Sequence, residues 1–541
     1  MITPSTIDPS KQERCDARRA YLDHNTRENL FVLTHHQGTK IFFNGTKDDA
    51  GNLVASGVEF QADANSPSYK VYTAKEIIVS SGAVNSPKLL QLSGIGPASY
   101  LNTLGIKSVL DLPVGHNFQD HASHAMFWDT VEGIETWFAL GASEELKAQA
   151  LAEYEASRTG LWTYVNEAVA YASQADLSGS QDAASKMADS FDVAAVVSQL
   201  AAKYSMPASV QAGITAQYNI QKKWMKSDVG TLEYIMHLWG KSATSLGIQV
   251  CLQHAFSRGT VMIASADPFA MPLVDPNYFG VDIDATIMQQ ASEWIRKYVQ
   301  TAPMNTIMKA ETIPGADVTG DALWTYVRNA ASTEYHPMSS CSMLPKDKGG
   351  VVDTSLKVYG ASNLRVADAS IMPIHVSAHL MASTYGVAEK VADLIKEAHT
   401  PKAVNITTTT AVFSTSSKAT ATASVSSSPS SSSSSTIAEK SQADSSPLSL
   451  GAKIGIGVGA GIAAIVIVGA LLFFCMNKTK KETQPAGKNG WYAQGAANGQ
   501  WQGAAGEYRG QNRVLISIAN IHRQRRVPDE QQLPQSPSVP N

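Results

Sequence analysis

Two histidines stand where an imidazole could handle a proton. His336 lies in the polar loop Glu334-Tyr335-His336-Pro337-Met338-Ser339-Ser340-Cys341-Ser342-Met343, ahead of Gly349-Gly350 and Val351-Val352-Asp353. His379 lies just before an amphipathic stretch, so its ring sits where helix N-terminal amides and the helix dipole favour negative charge. A neutral imidazole with a pKa of about 6.5 suits proton transfer near neutral pH. The chain has 13 histidines, however, and either of these two alone is more often structural than catalytic. His375, close before His379, is the obvious decoy, and His35, His36 and His116 suggest nothing specific. Cys15, Cys251, Cys341 and Cys475 fit neither a disulfide scaffold nor a zinc spacing, so no metal site is expected.

The elements that must position such groups come in two similar units. Lys75 to Ser80 reads as a short buried strand ended by Gly82, after which Ser86 and Pro87 supply an N-cap and first-turn proline for a helix over Lys88 to Ser93. A helix N-terminus after a buried strand is a natural place for an anion such as a diphosphate, although most such units bind nothing. The second unit is a strand over Leu364 to Ala367, a turn over Asp368-Ala369-Ser370, and a helix from about Leu380 to Glu397. Tyr385, Ala388, Val391 and Ile395 recur at helical spacing and are expected to form its buried face.

These stretches together resemble the glucose-methanol-choline (GMC) family of FAD-dependent oxidoreductases, most nearly its fungal glucose oxidase and aryl-alcohol oxidase branch. Gly82-Ala83-Val84-Asn85-Ser86-Pro87-Lys88-Leu89-Leu90-Gln91-Leu92-Ser93-Gly94-Ile95-Gly96 is similar to that family's second signature. Leu112-Pro113-Val114-Gly115-His116-Asn117-Phe118-Gln119-Asp120-His121 resembles the segment that follows it. Ser257-Arg258-Gly259, Asp267-Pro268, Asp275-Pro276-Asn277-Tyr278, the His336 loop, Val351-Val352-Asp353, Leu364 to Ser370 and Ser377-Ala378-His379 then come in family order.

The resemblance covers about Ser5 to Lys396 and implies oxidation of a primary or secondary alcohol, a proton leaving the hydroxyl and a hydride passing from carbon to flavin N5. His336 would be the general base. His379 would hydrogen-bond the substrate oxygen and share the base's task. The helix after His379 would direct its dipole at the flavin pyrimidine edge, stabilising the anionic reduced ring. Met381 would pack at the ring, and Gly82, Asp368 and Ala369 would approach the diphosphate and ribityl chain. Ala369 stands where the family frequently has glycine. Gly38 falls in the stretch that would contact adenine, in place of a customary valine. Oxygen or a quinone would accept the electrons.

A family member should open with strand, G-x-G-x-x-G and helix, because a pyrophosphate needs close backbone approach at a glycine turn. Before Gly82 the glycines are Gly38, Gly45, Gly51 and Gly57, none so arranged. The expectation is a chain truncated at its N-terminus that holds FAD poorly as written. The expected organisation is the remaining N-terminal part of an incomplete Rossmann-like FAD-binding domain over residues 1–125 and a substrate domain of antiparallel sheet and helices over 126–325. Residues 326–400 then return to the FAD domain. Trp128, Trp137, Trp162, Trp224 and Trp239 are candidates for an aromatic pocket, although most fit a core equally well.

The 541 residues suggest three or four domains, and the 17% charged content is below the usual figure, so some segment must be neutral and polar. Thr407 to Thr436, dominated by Ser and Thr, supplies it: residues 401–452 read as a disordered stalk suited to O-glycosylation. Ile454 to Met476 carries no charge and as a helix reaches about 34 Å, enough to span a bilayer, so residues 453–476 read as a transmembrane helix. Lys478, Lys480 and Lys481 then place a disordered tail, 477–541, in the cytoplasm and the bulk of the chain outside. Gly457 and Gly461 give a weak helix-dimerisation spacing. Asn44-Gly45-Thr46 and Asn405-Ile406-Thr407 fit glycosylation acceptors. A net charge of -4 offers no reason to expect nucleic acid as a partner. An inactive membrane-anchored glycoprotein or fragment is the alternative reading, and a hydroxynitrile lyase on the same fold a further one.

Overall fold

The computed structural model describes residues 7–23, 27–164 and 168–400. The expected stalk, transmembrane helix and cytoplasmic tail lie outside those residues. Among the described residues no helix is long and apolar enough to cross a membrane. Cys15, Cys251 and Cys341 are free thiols.

Ile77–Val79 and Leu364–Val366 form a parallel pair, in register Ile77 to Leu364 and Val79 to Val366. Both are short; Ile77–Val79 is apolar on both faces, while Leu364–Val366 is buried throughout with Arg365 between two apolar residues. Asn363 braces the join from its side chain: Nδ2 donates to Lys75 O at 3.2 Å just before the first strand. The same amide ties the pair to Ala55 of strand Leu53–Gln61, with Oδ1 accepting from Ala55 N at 2.7 Å and Nδ2 donating to Ala55 O at 2.9 Å. Beside it the fully buried guanidinium of Arg365 grips Glu76, with Nε and Nη2 donating to the two carboxylate oxygens at 2.5 and 3.0 Å. A residue pairing so distant in sequence is thereby tied by backbone, amide and charge at once.

The helix after the first strand runs Gly82–Leu92, starting well before the proline expected to open it. Pro87 therefore sits inside the helix, where it can donate no N–H and its ring crowds the carbonyl of residue 83. That carbonyl is not left bare: Ser340 Oγ donates to Ala83 O at 2.5 Å. Ser86 is not the N-cap either. Its hydroxyl accepts from Ser81 N at 2.9 Å and donates to Asp368 Oδ2 at 2.5 Å, so it binds the two turns together. The second helix, Leu380–His399, has the expected position, but its buried residues are Leu380 and Val391. Val387, Leu394 and Ile395 pack partly against the core, Tyr385 stacks on Tyr21 at 6.1 Å, and Ala388 is exposed, so the contact stripe is narrower than its apolar spacing suggests.

Between these units lies an antiparallel sheet in the order 168–173, 230–237, 245–252, 122–130, 308–313, with Ser332–Thr333 also paired to the 122–130 strand. Side chains alternate across a sheet, so each strand has two characters. One face, with Met126, Trp128, Ala172, Leu232, Tyr234, Ile248, Val250 and Leu252, buries itself against helices Val193–Tyr204, Ala208–Met225 and Asp282–Val299. The opposite face carries a polar row: Tyr171 faces Glu233, Glu233 faces Cys251, Cys251 faces Ser123, and Ser123 faces Ser332. His121 and Gln253 lie two positions along on that same face. Both faces are covered, so this row is a buried polar layer, and burying polar groups costs free energy unless they find partners.

Candidate active site

The buried row meets the two loops that carry the predicted histidines. Residues 119–123 run antiparallel to 332–338, joined by Glu334 N to His121 O at 3.0 Å and by a reciprocal pair between Gln119 and Met338 at 3.2 and 2.9 Å. Tyr335 takes a left-handed backbone (φ 61°), which turns the chain so that His336 N donates to Asp120 Oδ1 at 3.0 Å. Such a conformation costs on the order of 1–3 kcal/mol outside glycine. Asp120 offsets it by also accepting from Thr333 Oγ1 at 2.5 Å and from the Tyr278 hydroxyl. The other loop is tethered by Ser377, whose hydroxyl donates to Gly230 O at 2.7 Å and meets His254 Nε2 at 2.7 Å.

These tethers bring His336 and His379 together, with ring centroids 5.1 Å apart. His379 caps the Leu380–His399 helix from extended backbone, and its side chain is 49% exposed. Its Nε2 lies 3.0 Å from Glu233 Oε1. Tyr171 donates to the same oxygen at 2.9 Å, and Gln253 Nε2 to Glu233 Oε2 at 3.0 Å. Behind His336, its Nδ1 lies 3.0 Å from His121 Nδ1. His375, the supposed decoy, is part of the cluster: it is buried and stacks on His121 at 3.9 Å, with neither ring nitrogen hydrogen-bonded.

The environment splits the two rings. Burial pushes His336 down to about 4, helped by the nearby charge of His379, so it is a neutral imidazole at physiological pH. The hydrogen bond to Glu233 pushes His379 up, against burial, and favours its cation. Burial pushes Glu334 up to about 9, helped by the adjacent Glu233 carboxylate, while His379 holds Glu233 below its ordinary value against burial. The two acids therefore share one proton between them, as like charges in contact must. His121 and His375 are held neutral by burial. The cluster thus balances one carboxylate against one imidazolium and leaves one neutral ring, His336, with 12% of its side chain exposed.

The other predicted residues fall into two groups. Gly82, Asp368 and Ala369 meet at the carboxyl ends of the parallel strands, where Asp368 Oδ2 accepts from Gly82 N at 3.0 Å and Oδ1 from Ser370 N at 2.8 Å. Gly82 has φ 81° and open space where a side chain would begin, and Ser370 Oγ is buried without a partner. Met381 is 39% exposed beside His379 in the sequence. Gly38 is apart from both groups, in strand Gln37–Lys47, where an added Cβ would come within 3.7 Å of Val58 and 3.8 Å of Leu89. The tryptophans are scattered: Trp128 is core, Trp224 lies 4.6 Å from His254, and Trp162 and Trp239 are exposed.

A flavin can be tested against these residues. The Gly82 opening and the orphaned Ser370 hydroxyl suit a phosphate or polyol chain at the strand ends. The exposed His379 and Met381 offer a surface for a ring at a helix N-terminus. The residues present fit the group on that side.

Glu233, Glu334, His121, Tyr171 and Gln253 are site residues that the sequence reading did not name. One signal was available for Glu233, a lone acid inside the apolar strand Gly230–His237.

Comparison with known proteins gives the context. Residues 5–123 and 255–388 match the N-terminal and C-terminal family models described as GMC oxidoreductase. The chain is 40% identical over 400 residues to the GMC oxidoreductase family protein Mala s 12 of Malassezia sympodialis, covering 73% of this chain and 60% of that one. It is 33% identical over 408 residues to a glucose oxidase of Aspergillus carbonarius, covering 72% and 60%. A solved FAD-dependent oxidoreductase from Chaetomium thermophilum superposes with a TM-score of 0.64 at 30% identity, covering 73% of this chain and 66% of that one. The chain spans about 60% of the length of the curated relatives it matches.

Proposed function

This chain belongs to the GMC oxidoreductase family, whose solved neighbours include FAD-dependent enzymes, and on that premise we propose that its histidine pair serves FAD-dependent oxidation of the CH–OH group of a small alcohol or sugar, handling the proton while the flavin takes the hydride. The observation that carries the reading is the pair itself: two imidazoles 5.1 Å apart, one held neutral and the other held charged. Groups whose environments push their pKa values apart mark the base and its electrostatic partner.

When bound, FAD supplies the hydride acceptor. His336 takes the hydroxyl proton on Nε2. That requires the tautomer in which its Nδ1–H donates to His121 Nδ1, across the 3.0 Å contact. His379, charged and fixed by Glu233, steadies the oxygen as negative charge develops on it, the kind of stabilisation that acts most strongly where water is excluded. The protonated Glu334 keeps a second negative charge from forming beside that oxygen. Gly82, Asp368 and Ser370 would hold the cofactor's chain, and Met381 with the helix N-terminus would lie on the side of its ring. The substrate is a primary or secondary alcohol, with oxygen or a quinone as the final acceptor.

In the same reading residues 453–476 anchor the protein and the catalytic part lies outside the cell, where the exposed Asn44 side chain is open to glycosylation.

The test is reduction of flavin by alcohol. FAD is supplied in excess and its absorbance followed anaerobically. Bleaching that depends on a primary or secondary alcohol and on the protein is the expected result. If no such alcohol bleaches the flavin at saturating FAD, the reading fails.

A further inference from the structure

We propose that His121, Glu334 and His336 form a binding site for a divalent transition-metal ion of the zinc type, and that filling it switches off the base. The three ligand atoms are His121 Nδ1, His336 Nδ1 and Glu334 Oε2, separated by 3.0, 3.5 and 3.8 Å. A tetrahedral ion with Zn–N and Zn–O bonds of about 2.0–2.1 Å sets its ligands about 3.3–3.4 Å apart. The three separations bracket that value, so an ion can be seated with shifts of a few tenths of an ångström.

A second, independent observation points to a ligand. Glu334 is 92% buried, yet neither of its carboxylate oxygens accepts a hydrogen bond of good geometry, although Glu233 and the Cys251 thiol lie beside it. A cation on Oε2 would give that buried oxygen a partner and neutralise the charge of an ionised Glu334 beside Glu233. The frame is also built to hold a set of ligands still. Glu334 and His121 are joined by backbone hydrogen bonds, and His336 is braced through Asp120. Binding constellations need such support. Three protein ligands match the count of metal sites that keep a fourth place for water or substrate.

Glu233, Glu334 and His379 form a competing triad, with His379 Nε2 at 3.0 and 3.7 Å from the two carboxylates. Its atoms are already committed. Glu233 Oε1 takes the Tyr171 hydroxyl and Oε2 takes Gln253. The His121 triad is therefore the one assigned.

The consequence for the base follows from proton bookkeeping on one ring, and rests on His336 being that base. In the free site the His336 proton is on Nδ1, shared with His121, and Nε2 has a lone pair. Once the Nδ1 lone pair is given to a metal, the single proton of the neutral ring moves to Nε2 through solvent. Glu334 releases its proton to solvent on ligating the ion, while no proton is gained or lost by the ring; its outward nitrogen is now a donor and cannot accept from an alcohol.

Co²⁺ alone is the probe, titrated into the full chain after chelator treatment, with its visible absorption as readout. One saturable site per chain with an intense tetrahedral-type band is expected. His121→Gln and Glu334→Gln should each weaken it at least as much as the roughly 10- to 100-fold seen on losing an outer partner. His379→Gln should leave it intact. Glu334→Gln replaces a carboxyl already held neutral by one of the same shape, so it remains informative if the buried His121 variant fails to fold. Unsaturable binding, binding indifferent to Glu334→Gln, or binding lost in His379→Gln but kept in His121→Gln overturns the site. Zn²⁺ should also stop alcohol-dependent flavin bleaching, with recovery on chelation. Tight binding without that loss would keep the site and overturn the role of His336.

Discussion

Replacing His336 by alanine is expected to slow alcohol-dependent flavin reduction by roughly 10²- to 10⁴-fold, the range for losing a positioned general base. The site contains several rings and carboxyls, yet of the neutral rings His121, His336 and His375 only His336 reaches the surface, with 12% of its side chain exposed. His121 and His375 are fully buried, His379 is engaged by Glu233, and Glu334 holds a proton. No neighbour is placed to take over. His336→Gln should fall nearly as far, because an amide can fill the space and bond to His121 but cannot take a proton. A loss confined to the apparent affinity for alcohol, with the limiting rate preserved, would show that the ring only binds. Measuring the rate of bleaching at saturating FAD and saturating alcohol separates the two outcomes.

How much of this site is legible in the sequence depends on where each residue's partner lies. His336 and His379 can be proposed because each belongs to a run of motifs in a fixed order, and Gly82, Asp368 and Ala369 likewise. Glu334 is two residues from His336, but its meaning arises from Glu233, which reaches it only when the strand at 230–237 is stacked in register beside 245–252 and 122–130. Nothing local in the sequence predicts that row. His375 reads as a decoy because its spacing from His379 says nothing about the loop's path, which folds it back onto His121. The helix start at Gly82 is misread for a similar reason. Pro87 marks a first turn by local rules, and the group that makes it tolerable inside the helix, Ser340, is supplied by a distant loop. The short strand Ile77–Val79, by contrast, is readable because an uninterrupted apolar run needs no partner to be recognised, whereas Arg365 interrupts the one it pairs with. The face of the last helix is only partly readable: periodicity gives the stripe, and packing decides how much of it is used.

The same dependence on distant partners sets the second large effect, at the strand pair that carries Asp368 to its place. Glu76→Ala should destabilise the fold by about 3–5 kcal/mol, the cost of leaving a buried charge without its partner. Arg365 is 1% exposed and its carboxylate partner 5%, so little water could replace the lost contact. The midpoint of urea unfolding reads the loss directly. The pH dependence has a definite sign. Burial acts to raise the Glu76 carboxyl, but the Arg365 hydrogen bonds and charge, with His399 Nε2 at 2.8 Å behind them, outweigh it and hold it below its ordinary value. A carboxyl depressed by folding contributes stability that is fully present above its unfolded pKa of about 4.3 and is lost as pH falls through the folded value. That part of the acid limb should vanish in Glu76→Gln. The double variant Glu76→Met with Arg365→Met tests the cause. If the penalty in the single variant comes from a stranded guanidinium, removing both charges restores much of the stability, because well-packed apolar side chains often equal or exceed a buried ion pair. If instead the double variant is as unstable as the sum of the singles, the two side chains act independently and the stranded-charge explanation fails.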